Sequence, residues 1–498
     1  MSLEPQLLSL LTAIDRFLAR SGIQGYIVGG FVRDALLGRD TNDIDLAVTA
    51  NALEVSPQLA EAIGGHHFPL DEVNRTSRIV LKDAADSIQW QIDLSSIVED
   101  IQGDLARRDF TIDAMAVRLD RAAAGSIEAE LIDPHHGLDD IRNKTIRAVS
   151  DEIFTKDALR LLRGVRLANE LGFGIEPHTE ELICQQKQLI NSVAGERVRD
   201  ELLKLLADES GTVFEYLDDL GLLTAVFPEL EASRGVDQPS EHQWDVFHHS
   251  LKTVAAAGFV LHYGRWQYSD DSILDCVPWT EDLEAYFASR VGADSNRRLL
   301  LKLAALLHDV AKPHTKATDA QGRTHFFGHA VEGAETVIDI MERLRFSGKE
   351  KRLVSGVVYH HLRPVQTCHD EMPTQRAIYR YFRDTGDVAV DTLFFSLADH
   401  LATRGYTLDM ANWRWHNSLI RYILEQHKQQ QGKARPSRLI SGHDIMQAFG
   451  LQPGHTVGRL LEAVREAQAA GEVASREQAL TYAKKLLNEE KTADRNGN

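Results

Sequence analysis

The sequence predicts an α+β domain at the start of the chain and an all-helical remainder. Short β-rich runs at residues 26–28, 43–48, 78–81 and 90–94 alternate with helical stretches, as in mixed domains. From residue 151 onward the spacing of apolar residues is helical almost throughout. The length of 498 residues corresponds to about three or four domains.

Four regions are predicted along the chain. They are a mixed head at residues 1–150, a helical neck at 151–235, a histidine-rich helical domain at 236–425 and a helical tail at 426–498. Gly172 and Gly221 are expected to end helices of the neck. Residues 268–294 form an acidic insertion without clear periodicity, and the polar residues 426–436 are typical of a linker.

The composition indicates a soluble protein of a reducing compartment. Hydrophobic residues make up 43% of the chain, which supports a packed core. Cys184, Cys276 and Cys368 lie too far apart for a disulfide framework or a cysteine zinc site. The start of the chain predicts an amphipathic helix and no signal peptide, and no apolar stretch approaches the roughly 20 residues that span a bilayer. We therefore expect a cytoplasmic protein without a membrane partner.

The acidic balance limits how the chain could bind a nucleic acid. The formal net charge is −19, whereas neutralising phosphates requires a positive surface. A nucleic-acid partner must therefore meet a local basic patch.

Two glycines and two aspartates form the first candidate site. Gly29 and Gly30 follow an apolar strand and precede a helical pattern, where glycine lets the backbone approach a phosphate closely. Asp43 and Asp45 lie two residues apart on the next predicted strand, so both side chains project from one face. Two neighbouring carboxylates are costly unless a cation lies between them. This pair predicts bound Mg²⁺, which carboxylates and substrate phosphates commonly hold together.

A third carboxylate completes this candidate site. Asp93 lies on another apolar run, and the three acids together predict a two-metal nucleotidyl-transfer site with these residues as its catalytic groups. In the alternative interpretation, Asp43 and Asp45 belong to a solvated strand end that caps the next element.

Four ordered motifs give the sequence a specific resemblance. They are GGFVRD with DID, DLARRDFTIDAMA at residues 104–116, DPHHGLDDIRNKTIRAV at 133–149 and KDALRLLRGVRLANELGFGIEP at 156–177. Together they resemble the class II tRNA nucleotidyltransferase and bacterial poly(A) polymerase family. The resemblance implies a polymerase-β-like nucleotidyltransferase head, followed by an all-helical neck, a further helical domain and a tail. It also implies template-independent addition of nucleotides to an RNA 3′ end.

The resemblance assigns roles to residues of the head. Asp43 and Asp45 match the metal ligands, and Asp93 is similar to the third carboxylate. The positions that match the nucleotide-binding motifs are Gly29, Gly30, Arg33, Asp34, Arg107, Arg108 and Asp109. Paired arginines suit phosphate oxygens, and an aspartate can accept from a ribose hydroxyl. The alternative is a surface ion-pair cluster, and Asp113 departs from the asparagine usual in the second motif.

The fourth motif is expected to select the base. Asp157 and Arg160 lie three residues apart on a predicted helix and so share a face. A carboxylate beside a guanidinium offers the acceptor and donors needed to read one base edge, although an ordinary salt bridge would look the same. Arg163 and Arg166 are further nucleotide-binding candidates on this helix. Lys156 replaces the acid usual in the family.

Basic residues are concentrated around this motif. Seven basic and three acidic residues lie between Arg142 and Arg166, which predicts a strip that faces phosphates or a solvated helix face. Four more basic residues could contact tRNA or belong to a plain linker: Lys428, Lys433, Arg435 and Arg438. The tail resembles C-terminal segments of the same family, which implies a role in docking tRNA.

Histidines and aspartates of the third region form a second candidate site. His308 and Asp309 end an apolar helical run, and imidazole and carboxylate ligands from different helices can converge on a transition metal. The pattern resembles the HD phosphohydrolase superfamily, which implies His249, His308, Asp309 and Asp399 as ligands. It implies His329 and either His360 or His361 as contacts of a second metal or a phosphate. Histidines that merely pack in a core are the alternative.

These patterns favour an enzyme that adds CMP and AMP from CTP and ATP to tRNA 3′ ends. A CC-adding enzyme, an A-adding enzyme or a poly(A) polymerase remains open, because the loop at residues 70–81 departs from the family patterns. A rival from another class is a metal-dependent phosphodiesterase or phosphatase that acts through the HD site, with the head serving as an RNA-binding module. The sequence leaves the oligomeric state and the metal of the HD site open.

Overall fold

A computed structural model describes residues 4–83, 87–125, 127–239, 241–366, 371–432 and 438–496. It divides into two compact units, which are described separately. The amino-terminal unit comprises Met1–Glu201 and Tyr216–Val226, and the carboxy-terminal unit comprises Leu202–Glu215 and Phe227–Asn498. Among the described residues, no helix is both long and apolar enough to cross a membrane. Cys184 and Cys276 are free thiols, and Cys368 lies outside the described residues.

A mixed sheet is the centre of the amino-terminal unit. Its seven described strands follow the order β3-β4-β5-β2-β1-β6-β7. Their bounds are β1 Gly25–Val28, β2 Asp43–Val48, β3 His66–Asp71, β4 Thr76–Lys82, β5 Ile88–Ser96, β6 Ala116–Arg118 and β7 Leu131–Ile132. Strands β2 and β5 are parallel, and the other neighbouring pairs are antiparallel. The short parallel pair β8 Thr145–Ile146 and β9 Gly174–Ile175 lies outside this sheet.

Helices precede, separate and follow the strands over the described part of the first 206 residues. They are α1 Pro5–Arg20, α2 Gly30–Leu37, α3 Ala52–Ile63, α4 Ile101–Ala106, α5 Leu119–Ala123, α6 Gly137–Arg142, α7 Ile153–Lys156, α8 Arg160–Leu171, α9 Pro177–Gln186 and α10 Gly195–Leu206. Helix α1 buries Leu7, Leu11, Ile14 and Leu18, whose spacing defines one apolar stripe. This confirms the amphipathic helix predicted at the start of the chain.

Helices also make up most of the described chain after residue 206, and those beyond Val226 belong to the carboxy-terminal unit. The remaining helices in chain order are α11 Val213–Asp219, α12 Leu222–Val226, α13 Val246–Val260, α14 Glu281–Ala288, α15 Arg297–Leu307, α16 Lys312–Thr315, α17 His329–Arg343, α18 Gly348–His360, α19 Arg363–Gln366, α20 Gln375–Thr385, α21 Ala389–Arg404, α22 Met410–Gly432, α23 Gly442–Phe449, α24 His455–Ala469 and α25 Arg476–Asn496. Helices α13, α15 and α21 pack together and are buried nearly all round, as core helices are. A small hairpin joins β10 Ala317–Thr318 to β11 Thr324–His325.

Several expected features differ from the structure. Helix α22 continues to Gly432, so residues 426–432 are helical and the linker expectation is wrong there. Residues 433–437, which include Lys433 and Arg435, lie outside the described part. The acidic insertion contains the capped helix α14, which begins where the Thr280 side chain accepts the N–H of Leu283. Gly172 and Gly221 adopt positive φ angles of 65° and 67°, and Gly172 caps α8 as predicted.

Replacing Gly137 with alanine tests how tightly the third motif packs against the second. A Cβ atom at Gly137 would lie 2.2 Å from the Thr111 backbone oxygen, so the backbone must move. We expect Gly137→Ala to destabilise the amino-terminal unit by about 1–3 kcal/mol, seen as a lower thermal midpoint in calorimetry. Gly174→Ala is the control, because a Cβ atom there meets nothing within 4 Å. Equal midpoints for the two variants would contradict this packing.

Candidate active site and metal centre

The parallel pairing of β2 and β5 brings three carboxylates to one face of the sheet. Asp45 lies directly opposite Asp93 in the strand register. Asp43 lies two residues before Asp45 on the same strand and therefore on the same face. The structure thus brings together the three acids that the sequence analysis grouped.

The glycine pair packs directly against these acids. The backbone N–H of Gly30 donates to Asp45 Oδ2 at 3.2 Å. Gly29 adopts a φ of 66°, and a Cβ atom there would lie 2.5 Å from Arg108 Nη1 and 3.0 Å from Asp45 Oδ2. Glycine is required at this position because both the backbone angle and the available space exclude a side chain.

The electrostatics of this face suit a divalent cation. Burial raises the pKa of Asp45 to about 6, although Arg108 opposes that rise. Burial and the neighbouring Asp93 carboxylate raise the pKa of Asp43. Ionised carboxylates crowded in this way need a compensating cation, and their oxygen atoms are the ligands that Mg²⁺ prefers.

A cross-strand arginine holds the third carboxylate. Arg78 on β4 lies opposite Asp93 on β5. Its Nε and Nη2 atoms donate to the two Asp93 oxygens at 2.7 Å and 2.8 Å. Sequence reasoning missed Arg78, because its proximity to Asp93 depends on the pairing of two strands.

Two arginines share a buried aspartate beside the glycines. Arg33 Nη1 donates to Asp113 at 2.6 Å, and Arg163 Nη2 donates to its other oxygen at 3.2 Å. Arg33 also pairs with Asp34, and Arg163 pairs with Asp109 at 2.5 Å. Asp113, which departs from the asparagine of the family motif, therefore links α2 to α8 through two guanidinium groups.

A cleft of about 530 Å³ lies next to the carboxylates. Four predicted nucleotide-binding residues line it: Arg107, Arg108, Asp109 and Arg160. Arg108 also lies beside Asp45, so one arginine is shared by the cleft and the carboxylates. A cavity of this size accommodates a small-molecule ligand.

Four arginines and two aspartates are among the residues that line the cleft. Arg75, in the turn between β3 and β4, lines the same cleft and was missed by sequence reasoning. Arg160 donates to the backbone oxygens of Arg107 and Ile153. Among the described residues, neither Arg75 nor Arg160 forms an ion pair with a carboxylate. Such guanidinium groups favour a phosphate-bearing ligand.

The second candidate site lies among buried helices of the carboxy-terminal unit. Two groups have ligand atoms close enough to hold a metal ion, and Asp309 belongs to both; they are His249, His308 and Asp309, and Asp309, His329 and His361. Asp399 lies 3.0 Å from His249 Nε2. Both oxygens of Asp309 are buried without a hydrogen bond among the described residues, although Lys312 Nζ lies 2.7 Å from one of them. Imidazole and carboxylate groups of this kind fit a transition metal.

Backbone oxygens orient three of these imidazoles. The Nδ1 atoms of His308, His329 and His361 lie 2.9, 2.7 and 2.6 Å from carbonyl oxygens three residues earlier. A hydrogen bond at Nδ1 leaves Nε2 available as a metal ligand. Burial lowers the pKa of His361 to about 3, which keeps that imidazole neutral as coordination requires.

Family models match three segments of the chain. They are the Poly A polymerase head domain at residues 25–147, the probable RNA and SrmB-binding site of polymerase A at 172–233 and the HD domain at 281–404. The A-adding tRNA nucleotidyltransferase of Deinococcus radiodurans is 32% identical over 471 residues, which cover 93% of this chain and 95% of that protein. The CC-adding tRNA nucleotidyltransferase of Thermus thermophilus is 32% identical over 468 residues, covering 91% and 92%. The chain belongs to the tRNA nucleotidyltransferase family.

Solved structures of CCA-adding enzymes share the fold. A complex with ATP matches with a TM-score of 0.62 at 20% identity, covering 96% of this chain and 94% of that chain. The Thermotoga maritima enzyme with tRNA matches with a TM-score of 0.59 at 21% identity, covering 98% and 97%. The predicted fold, an α+β nucleotidyltransferase head with a helical body and an HD domain, is confirmed.

The helix that was expected to select the base begins later than predicted. Asp157 is extended, and its side chain accepts the N–H of Leu159 before α8 begins at Arg160. The carboxylate also accepts two hydrogen bonds from Arg197, at 3.2 Å and 2.8 Å. The expectation that Asp157 and Arg160 share a helix face is therefore wrong, because a local side-chain bond to the backbone competes with the helix at this point.

The predicted basic strip is largely neutralised within the fold. Arg166 is buried and donates to Glu201 and Glu170, so its guanidinium does not face a nucleotide. Ion pairs also engage Arg142, Arg147, Lys156 and Arg163. A count of nearby charges could not anticipate the pairing of Arg163 with Asp109 or of Arg166 with Glu201, because these partners are remote in sequence. The partners of Arg147 and Lys156, in contrast, lie close in sequence.

The structure distinguishes the two adjacent histidines. His361 Nε2 lies 3.1 Å from His329 Nε2, whereas His360 is half-buried and belongs to neither metal-binding group. The metal-ligand prediction for His360 is corrected, because successive side chains on a helix point in different directions. His242 and Lys312 were missed, although both lie against the cluster.

Metal binding by this cluster can be tested with one ligand and one neighbour. We expect Asp309→Asn to lower transition-metal affinity by about tenfold or more, because Asp309 belongs to both groups. Loss of a residue that only hydrogen-bonds to a metal ligand already lowers affinity by about tenfold. Bound metal would be measured by mass spectrometry after removal and re-addition. His360→Ala is the control and should keep its metal; a loss equal to that of Asp309→Asn would contradict the assignment.

Proposed function

We propose that the chain adds CMP and AMP to the 3′ end of tRNA, using CTP and ATP without a nucleic-acid template. The observation that carries this proposal is the placement of Asp43, Asp45 and Asp93 on one face beside a cleft rich in arginine. The names of the full-length relatives support the same chemistry and the same class of RNA substrate.

The reaction joins the terminal ribose oxygen of the tRNA to the α-phosphorus of the nucleotide and releases pyrophosphate. Asp43 and Asp45 would hold two Mg²⁺ ions, with Asp93 as a further ligand. When bound, these ions supply Lewis-acid stabilisation of the attacking and leaving oxygens. The protein groups position the reactants and neutralise charge, which are the main contributions in phosphoryl transfer.

Arginines of the cleft would hold the triphosphate. Arg107, Arg108 and Arg160 line the cleft, and guanidinium groups bind phosphate oxygens in pairs. Arg108 is the group that connects the triphosphate to the carboxylates, because it lines the cleft and lies beside Asp45. The Gly29–Gly30 turn leaves that approach open.

We assign base selection to Arg160 in preference to Asp157. Two hydrogen bonds to backbone oxygens fix the Arg160 guanidinium at the cleft, and its remaining N–H groups are available to a base. Asp157 does not line the cleft and is bound by Arg197. It acts on the base only if that ion pair rearranges.

Addition of only part of the CCA end is the second candidate. Two relatives that match over more than nine-tenths of this chain are named for adding A or CC alone. The two reactions use the same carboxylates, so the site geometry serves either. The distinction depends on which nucleotide is accepted after each step.

A primer-extension assay tests the proposal. The tRNAs would end at the discriminator base, at C or at CC, and each would be incubated with labelled CTP or ATP. We expect growth to CCA followed by arrest. Arrest after CC, or growth only from CC, would select the partial reactions, and a long adenosine ladder would contradict the tRNA-specific proposal.

Substitution of a carboxylate links this activity to the head. We expect Asp43→Ala to lower incorporation by roughly a thousandfold or more, because several kcal/mol of charge stabilisation is lost. Asp309→Asn is the matched control and should leave incorporation intact. The proposal fails if Asp43→Ala retains incorporation near that of the unchanged protein.

Hydrolysis of phosphate esters at the HD site is a separate candidate activity. The observation that favours it is the buried cluster around Asp309. Asp309→Asn should abolish metal-dependent hydrolysis of a generic phosphodiester, and Asp43→Ala should not affect it. The opposite pattern would contradict an active HD site.

A further inference from the structure

The Arg78–Asp93 pair differs from an ordinary surface ion pair in its surroundings. Both oxygens of Asp93 accept from one guanidinium, and the side chains are only 35% and 33% exposed. Asp45 lies next to Asp93 in the strand register. Asp43 also lies within electrostatic reach of Arg78. Arg78 is therefore a fixed positive charge among three carboxylates.

This arrangement has two separable physical consequences. The planar fork of the guanidinium fixes the orientation of the Asp93 carboxylate. The positive charge also repels any divalent cation that approaches the three acids. A nucleotide triphosphate would offset that repulsion, because it brings several negative charges to the same place.

We propose that Arg78 is a positioning residue for nucleotidyl transfer, which holds Asp93 in its reactive orientation and keeps cation affinity low until the nucleotide enters. The inference rests on the proposed transferase activity. In this proposal, the bidentate contact of the guanidinium group affects the rate of the chemical step. The charge of the same group couples cation binding to nucleotide binding.

Two substitutions separate the fork from the charge. Arg78→Lys retains the charge but cannot make the bidentate contact, and Arg78→Gln removes the charge. Arg118→Gln is the matched control, because Arg118 makes a similar pair with Asp120 at 3.1 Å on strand β6 of the same sheet. All variants would carry Asp309→Asn, so that cation binding reports on the head.

The first measurement is Mn²⁺ binding to the full chain by calorimetry without nucleotide. We expect Arg78→Gln to bind Mn²⁺ about fivefold more tightly, because a repelling charge is gone, whereas Arg78→Lys should bind as the unsubstituted arginine does. With a non-hydrolysable CTP analogue present, the difference should shrink. Unchanged or weaker binding by Arg78→Gln would overturn the proposal.

The second measurement is the rate of incorporation on tRNA. We expect both variants to lower kcat about tenfold or more, because a misplaced carboxylate impairs the reaction, while KM for CTP changes little. Tighter Mn²⁺ binding with slower turnover in Arg78→Gln is a combination that simple destabilisation does not produce. Thermal midpoints in EDTA would identify a variant that fails to fold.

The outcomes also separate this inference from the proposed function. If the chain with arginine at position 78 does not incorporate nucleotides, the transferase proposal fails, and the Mn²⁺ measurement still tests the charge of Arg78. If that chain is active and Arg78→Lys retains its full kcat, the positioning role is wrong. Arg118→Gln should change neither quantity.

Discussion

The crowding of Asp43, Asp45 and Asp93 on one face of the sheet is the constraint on which the rest of the head depends. Parallel pairing of β2 and β5 places these carboxylates side by side, where like charges oppose ionisation. Three kinds of group offset that cost: the backbone N–H of Gly30, the fork of Arg78 and the nearby Arg108. The remaining negative charge is what a pair of divalent cations would balance.

In the HD cluster, buried carboxylates are likewise offset by neighbouring polar groups, but these groups differ from those of the head. Its carboxylates lie among imidazoles instead of guanidinium groups, and carbonyl oxygens fix the imidazole orientation. Oxygen ligands favour hard cations and imidazoles favour transition metals. Each unit therefore has its own donor set, and selective loss of one site should leave the other intact.

Local patterns in the sequence predicted the parts of the fold that depend on neighbours along the chain. The apolar spacing of α1, the strand around Asp43 and Asp45, and the ends of helices at Gly172 and Gly221 are of this kind. Strand β3 was missed because Pro69 lies within it and it forms an edge of the sheet. Residue spacing also predicted that Asp43 and Asp45 lie on the same face of a strand, and both residues lie on strand β2 as expected.

The rest depended on partners that are distant in sequence. Arg78 meets Asp93 only through the register of β4 and β5, and Arg166 is neutralised by Glu201. Near Asp157 the backbone leaves the helix because its side chain bonds locally, which helical periodicity does not reveal. The choice between His360 and His361 depends on helix phase at the very end of α18.

Anomalous X-ray scattering from crystals grown with Mn²⁺ and a non-hydrolysable CTP analogue tests the central claim most directly. The account predicts Mn²⁺ peaks bonded to the oxygens of Asp43 and Asp45, with the analogue's phosphates beside Arg108. Peaks confined to the Asp309 cluster, or a nucleotide bound away from Asp43 and Asp45, would contradict it.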